Sequence, residues 1–326
     1  MHPALSVIFL TTLIGVGQGL FLALYTGQVY SLANLLPAQE SIGFYAIGSL
    51  LALLLLGAGL FASFFHLGHP ERAWRAIAKW KTSWLSREVI VLPAFMLMVA
   101  LYGVIHYFGW TESWFVIQET LPVDASLVAG LLASLLAFAL FISTAMIYAG
   151  VKFLQEWHSP LTVANYTLLG IASGFMLAAA FSAYSGVDLV AFFGTWAVIF
   201  TLAALLTRGA SLLRNAGLKH KITTQTAIGV RHSHIEQKAQ GFIGGSFNTR
   251  EFFHGATPTT MKTVRALFLL LLFPLPVLLI AAAYFTASAT LPLLAFAVQY
   301  LGLLLERWYF FAEATHPQNL YYRSMA

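Results

Sequence analysis

The chain has 326 residues, of which 59% are hydrophobic and only 9% charged, against about 25% charged in a soluble globular protein. A water-soluble monomer is excluded. There is no cysteine, which removes disulfides, thiolate-held iron–sulfur clusters and covalently attached c-type haem from this chain, so any redox centre is non-covalent or sits in a partner.

Met1, His2 and Pro3 lead directly into an apolar run that lacks the basic n-region and small-residue cleavage site of a secretory signal. It is expected to stay as the first helix. No Asp, Glu, Lys or Arg occurs in residues 1–39, 41–70, 89–111, 125–151, 157–187, 189–207 or 266–305, and each stretch is long enough to cross a bilayer, which takes about 20 residues. The last is interrupted over 283–292 by Thr286, Ser288, Thr290 and Pro292, and divides into two helices. The fold class is therefore an all-α integral membrane protein of eight helices, near 4–25, 42–66, 89–109, 126–150, 161–184, 189–207, 265–286 and 290–311. Residues 1–207 form the first six helices with a basic loop at 67–88, 208–264 form a long connecting segment, and 265–326 form the last two helices and a tail.

Charge placement sets the orientation. The 67–88 loop holds Arg72, Arg75, Lys79, Lys81 and Arg87, the fourth-to-fifth connection holds Lys152, and most of the remaining basic residues fall in 208–265. Connections at the opposite end carry only acids: Glu40, then Glu112, Glu119 and Asp124, then Asp188. Basic loops stay in the cytoplasm, so both termini and the long segment are expected there. The net charge of +5 is accounted for by this orientation and by anionic lipid, which leaves no argument for nucleic acid.

At the end of helix two, Ser63-Phe-Phe-His66-Leu-Gly68-His69-Pro70 turns sharply, because Gly68 and Pro70 stop a helix. An imidazole here can donate to a carbonyl oxygen and exchange a proton near neutral pH, as a quinone site requires; the alternative is a histidine that only caps the helix. Ser83 or Ser86 is the cap expected for helix three, with Arg87 and Glu88 in its first turn as a pair that could line the same mouth. Gln18, Thr11 and Thr12 are expected to bond neighbouring helices. Glu306 and Arg307 are expected at the membrane interface, paired with adjoining loops. A b-type haem needs two histidines at matching depth; His66 and His106 fall at opposite ends, which leaves only a pair from His2, His66, His69 and His158 and argues against haem b. No metal-ligand spacing is present. Within 208–264, the run from Gly241 to Gly255 mixes glycines, aromatics and single charges, a composition that orders most readily by docking on another protein.

The His66–Pro70 turn, followed by Arg72-Ala73 and Leu85-Ser86-Arg87-Glu88, resembles the DmsC family, the membrane anchors of dimethyl sulfoxide reductase-type molybdoenzymes. The opening Met1-His2-Pro3-Ala4, the loop Gly245 to His254, and the closing Glu306-Arg307-Trp308 with Ala314 to Asn319 are most similar to its SoeC branch, the anchors of sulfite-oxidising complexes. The resemblance implies an anchor in a bacterial inner membrane that binds an iron–sulfur electron-transfer subunit and a molybdopterin catalytic subunit, and that exchanges electrons with a quinone, ubiquinone or menaquinone. It carries a quinone-binding role onto His66, with Gly68, Pro70, Arg72, Arg87 and Glu88 around it. Arg75, Lys79, Asn248, Arg250, Phe252, Phe253 and His254 are the residues expected to dock the partners. Electrons are expected to run from sulfite to quinone. The alternatives are an anchor run in reverse by quinol, and a small-anion transporter, against which stand the lack of repeated halves and the placement of most prolines at helix ends.

Overall fold

The computed structural model describes residues 1–117, 121–219, 223–232, 234–236, 251–317 and 319. Among them eight helices are long and apolar enough to cross a membrane. They are α1 (Leu5–Leu32), α2 (Ser41–His66), α3 (Trp84–Phe108), α4 (Ala125–Ala149), α5 (Pro160–Tyr184), α6 (Val190–Ala216), α7 (Pro258–Thr286) and α8 (Thr290–Glu313). The eight expected spans are all present, with ends that differ in an informative way.

Local chemistry fixes several ends. Ser83 caps α3 by accepting from the Ser86 amide, Asp124 caps α4 through Leu127, and Ser159 caps α5 through Leu161 with Pro160 at the first helical position. Gly109 closes α3 in the left-handed region at φ 69°. α7 is broken at Phe273, where Pro274 cannot continue the hydrogen-bond ladder. The turn between α7 and α8 passes through Ala287 at φ 49°.

α1 and α5 are the central helices and the most enclosed. They meet backbone to backbone through Gly15 and Gly19 on α1 and Gly170 and Gly174 on α5, each pair four residues apart and so on one face. A Cβ on Gly19 would lie 2.1 Å from the Gly170 oxygen, and one on Gly174 would lie 2.0 Å from the Gly19 carbonyl carbon. Only small residues permit this approach, which in a bilayer supplies the packing that hydrophobicity cannot. Gln18 crosses the same centre and donates to the Ala137 carbonyl of α4 at 2.8 Å, as expected for a helix-bridging amide. Thr11 and Thr12 instead donate to carbonyls of their own helix, and Thr12 also approaches the Tyr300 hydroxyl at 3.4 Å.

The ends of the chain converge. The Met1 amine donates to the Ala314 carbonyl at 2.7 Å and the His2 amide to the Glu251 carbonyl at 2.8 Å, so the start of α1, the end of α8 and the segment before α7 lie at one end of the bundle, which also carries the basic 67–83 connection. The opposite end holds a buried chain in which Tyr102 donates to Gln28, Gln28 to Ser126, and Ser126 to Asp124. His106 stacks there on Tyr45 and meets Tyr102 edge-on. A short antiparallel hairpin, Phe115–Ile117 with Leu121–Val123, adds a feature absent from the sequence reading.

Four helix ends correct the expected boundaries. α1 runs on to Leu32, α3 starts at Trp84 rather than 89, α6 continues to Ala216 rather than 207, and α7 starts at Pro258 rather than 265. The connecting segment is thus 217–257 instead of 208–264. The largest error has one physical cause: charge alone marks Arg208 as the first residue outside the membrane, whereas it is buried inside α6 against Glu306.

Candidate functional site: a cleft with a buried carboxylate floor

After α2 ends at His66, Pro70–Lys79 winds as a 3-10 helix across the basic end. Such a helix puts residues i and i+3 on one face. Ala73 and Ala76 face inward, while Arg72, Arg75 and Lys79 are exposed. Between this segment, α1, α2 and α3 lies a cleft of about 210 Å³, walled by Leu10, Leu60, Phe64, Leu67, Leu85 and Leu92. Its polar members are few. His66 lies at the exposed rim, and Ser63 and Glu88 complete the set. Pro93 also lines it; lacking an N–H, it leaves the Val89 carbonyl without its helical donor one turn from the floor.

Glu88 is 8% exposed. Thr144 of α4 donates to its Oε1 at 2.5 Å. The same carboxyl borders a second, much smaller cavity of about 10 Å³ in the centre of the bundle, shared with Thr11, Thr12, Gln18, Thr144, Tyr166 and Arg307. That volume accommodates about one water molecule, within reach of several polar groups. Across it, the Arg307 guanidinium lies 3.6 Å from the centre of the Tyr166 ring, a cation–π contact made strong by burial. Arg307 approaches Glu306 at 3.7 Å, Glu306 holds Arg208 of α6 at 2.8 Å, and Arg208 reaches Glu313 at 3.7 Å. Glu313 in turn borders a cavity of about 610 Å³ at the basic end, lined also by Met1, Phe252, His254 and Thr257.

The expected site residues separate into groups. His66 and Glu88 share the cleft. Gly68, Pro70 and Arg72 are exposed beside it and are not among its lining residues; Arg72 and His69 both approach Glu71, at 3.6 and 3.0 Å. Arg87 does not pair with Glu88. It donates to the Trp80 and Lys81 carbonyls and stacks on Trp84 at 4.0 Å, tying down the turn that precedes α3. Arg75 and Lys79 are exposed on the outer face of the 3-10 segment. Phe252, Phe253 and His254 line the large cavity, with the Phe252 ring stacked on His316 at 3.9 Å. Asn248 and Arg250 lie outside the described residues.

Glu306 and Arg307 correct a further expectation: at 1% and 3% exposed they are enclosed by the bundle, and Glu306 pairs with Arg208 of α6 rather than with an adjoining loop. The ion cluster they form with Arg208 and Glu313 escapes the sequence reading, as do Thr144 and Tyr166. The available signal is the apolar run Ser211-Leu-Leu beyond Arg208, which continues the helix past the charge. Burial of His254 and His316, together with the nearby Met1 ammonium, holds both imidazoles below the usual histidine range. Among the described residues no group of three or more His, Cys, Asp or Glu side chains is arranged to hold a metal ion.

Residues 1–312 match the family model described as DMSO reductase anchor subunit (DmsC). A sulfite dehydrogenase subunit from Allochromatium vinosum is 64% identical over 326 residues, covering 100% of both chains. With a family match across nearly its whole length and eight helices apolar enough to cross a membrane, the chain belongs to the DmsC family of reductase membrane anchors.

Proposed function

We propose that this subunit anchors a molybdopterin and iron–sulfur enzyme pair to the cytoplasmic face of a bacterial inner membrane and passes the electrons of sulfite oxidation to a quinone in the α1–α3 cleft. The observation that carries the reading is one apolar cleft holding a rim imidazole, His66, and a buried carboxyl, Glu88, among aliphatic walls. Binding sites for apolar ring compounds combine largely hydrophobic walls with a few placed polar groups, and the residues present fit a quinone head. Sulfite as the electron source is favoured by the full-length relative named as a sulfite dehydrogenase subunit.

A quinone takes up two electrons and two protons when reduced, and the electrons come from the iron–sulfur partner. This chain supplies position and protons. The aliphatic walls exclude water and orient the ring. His66, at the rim, donates a hydrogen bond to one ring oxygen and is replenished from solvent, an imidazole being able to exchange protons near neutral pH. Glu88, fixed by Thr144, serves as a second proton-bearing group on the floor. Arg75 and Lys79, exposed beside the mouth, and the 251–257 segment form the surface that receives the soluble subunits.

The test is sulfite-driven reduction of a quinone analogue by membranes carrying the whole complex, with wild type compared to His66→Ala and a soluble artificial acceptor assayed in parallel. Removal of a positioned proton-transfer group lowers turnover by about 100-fold or more. Quinone reduction is expected to fall on that scale while artificial-acceptor activity and assembly survive. Unchanged quinone reduction in His66→Ala overturns the site; no reduction by sulfite in wild type overturns the donor and favours the reverse, quinol-oxidising direction.

A further inference from the structure

A second hollow lies between α2 and α3, further along the same helix pair from the cleft. It is an apolar groove of about 420 Å³, lined by small residues, Ala46, Ala100 and Gly103, between taller ones, Leu50, Leu53 and Val104. Gly103 lets the helices close here, because a Cβ on it would lie 3.0 Å from the Ser49 Cβ. The hydroxyls in the lining are those of Ser49 and Tyr107, and Ser49 already donates to the Tyr45 carbonyl of its own helix. None of the lining residues is charged. Leu50, Val104 and Tyr107 are exposed, which in this fold means turned toward lipid.

Helix periodicity joins this groove to the cleft. On α2, Leu50, Leu53, Gly57, Leu60 and Phe64 follow one another at alternating steps of three and four and share one face, and on α3 Val89, Pro93, Met96, Ala100 and Gly103 do the same. In each row the members at one end line the cleft and those at the other line the groove. Gly57 lies midway along α2, and a Cβ on it would meet nothing within 4 Å, so the intervening strip is open. Pro93, in the facing row, is exposed. The cleft therefore continues along the helix pair into the groove, with no charged or hydrogen-bonding side chain in either row to interrupt it.

We infer that the strip and the groove hold the polyprenyl tail of the quinone whose ring occupies the cleft. This rests on the quinone reading of the cleft and extends it to the other half of the ligand. The lengths agree. Pro93 to Ala100 and Ala100 to Tyr107 each rise about 10 Å, and an isoprene unit adds four chain bonds of about 1.5 Å, or about 5 Å when extended. The first two units then cross the strip beside Gly57 and the next two fill the groove. Lipid is as apolar as the tail, so the tail gains no hydrophobic advantage by leaving it and is held by close packing alone. The gain is accordingly modest, and its use is orientation: a ring tethered this way enters the cleft from the bilayer, between α2 and α3.

The experiment uses the whole complex in proteoliposomes and a series of quinones with tails of increasing isoprene number, each dosed as a mole fraction of lipid so that partitioning cancels. In wild type, KM is expected to fall about fivefold between about two and four units, equivalent to about 1 kcal/mol of packing, and then to level off. Ala100→Phe, which fills the groove, is expected to abolish that step and to leave the two-unit quinone unchanged. Leu135→Phe, on the exposed face of α4, is the control and keeps the step. A second readout needs no turnover: a quinone carrying a photoreactive diazirine on its third isoprene unit is expected to label the 46–53 and 100–107 stretches. A KM independent of tail length, a steady fall with no plateau, or labelling spread evenly over the lipid-facing helices overturns the proposal and leaves the groove to lipid chains. Wild type alone supplies both results if Ala100→Phe does not assemble. The two readings fail separately: unchanged reduction of the two-unit quinone in His66→Ala removes the cleft, whereas a large loss there without any tail-length step removes only the groove.

Discussion

Gly174→Ala tests the packing that holds the central cavity together. The added Cβ would sit 2.0 Å from the Gly19 carbonyl carbon and 2.2 Å from the Leu20 amide nitrogen, whereas carbon atoms in contact prefer about 3.5 Å or more, so the helices must part by roughly 1.5 Å. No rotamer change relieves this, because both obstacles are backbone. A gap of only about 1 Å forfeits up to half of each dispersion contact along a seam, and α1 and α5 are the most enclosed helices in the bundle. Overpacking typically costs about 1–3 kcal/mol, and backbone-on-backbone contact places this change at the upper end, about 3 kcal/mol, less up to about 1 kcal/mol from the better helix propensity of Ala. Gly57→Ala on α2, with nothing within 4 Å of its added Cβ, is the control and is expected to be neutral or slightly stabilising. The assay is thermal unfolding of the complex in detergent micelles, with quinone and artificial-acceptor activities measured on the same samples. Because Gly15, Gln18 and Gly170 line the cavity beside Glu88, Gly174→Ala is also expected to depress quinone reduction more than artificial-acceptor turnover. Equal stability of the two alanine variants would refute the reasoning.

Two further outcomes follow from contacts already described. Arg208→Met removes the nearer cation of buried Glu306, leaving it only Arg307 at 3.7 Å, and the arginine partner of Glu313, and is expected to destabilise by about 3 kcal/mol, seen as loss of the subunit from membranes; adding Glu306→Leu should recover part of it. Arg214→Ala, by contrast, removes bonds to the Gln155 and His158 carbonyls and to the Asn215 side-chain oxygen and should cost about 1 kcal/mol; equal losses in both variants would contradict the buried pairing. The 251–257 segment should loosen in acid. His254 Nδ1 accepts the Ala256 amide at 3.0 Å and His316 stacks on Phe252, and burial, then the Met1 ammonium, lowers both histidine pKa values. A released histidine binds a proton below about pH 6.5 that the docked form resists, so docking weakens as pH falls through that value. Hydrogen exchange over 251–257, corrected for the intrinsic rate, should be faster at about pH 5.5 than at neutrality, and equal protection would count against the role of these rings.

How much of this is legible in the sequence depends on whether a residue acts alone or in company. Charge-free runs locate the eight spans because burying a lone charge in a bilayer is strongly unfavourable, and Ser83, Asp124, Pro160 and Gly109 mark helix ends by local chemistry. His66 stands out because a Gly and a Pro follow it. The same rule misplaces Arg208, since it treats every charge as a boundary and cannot see Glu306 arriving from a helix 98 positions later. Glu88 draws attention through its neighbour Arg87, yet its partner is Thr144, an unremarkable threonine in an apolar helix. Adjacent residues on a helix point about 100° apart, so Arg87 and Glu88 face different surroundings. Interhelical partners of this kind carry no spacing signature in one chain.

In α3 the two polar ends of the bundle are kept apart by Val89 to Ile105, a stretch in which no Asp, Glu, Lys, Arg or His occurs. The intervening core is Phe21, Leu24, Phe95 and Val99, all fully enclosed. The voltage across a membrane does work only on charge that moves through it, about 2.3 kcal/mol per elementary charge per 100 mV. On the proposed function, electrons and protons both enter from the basic end, and no charge traverses that layer during turnover. The proposed reaction is then electrically silent: an imposed membrane potential is expected neither to brake nor to drive it.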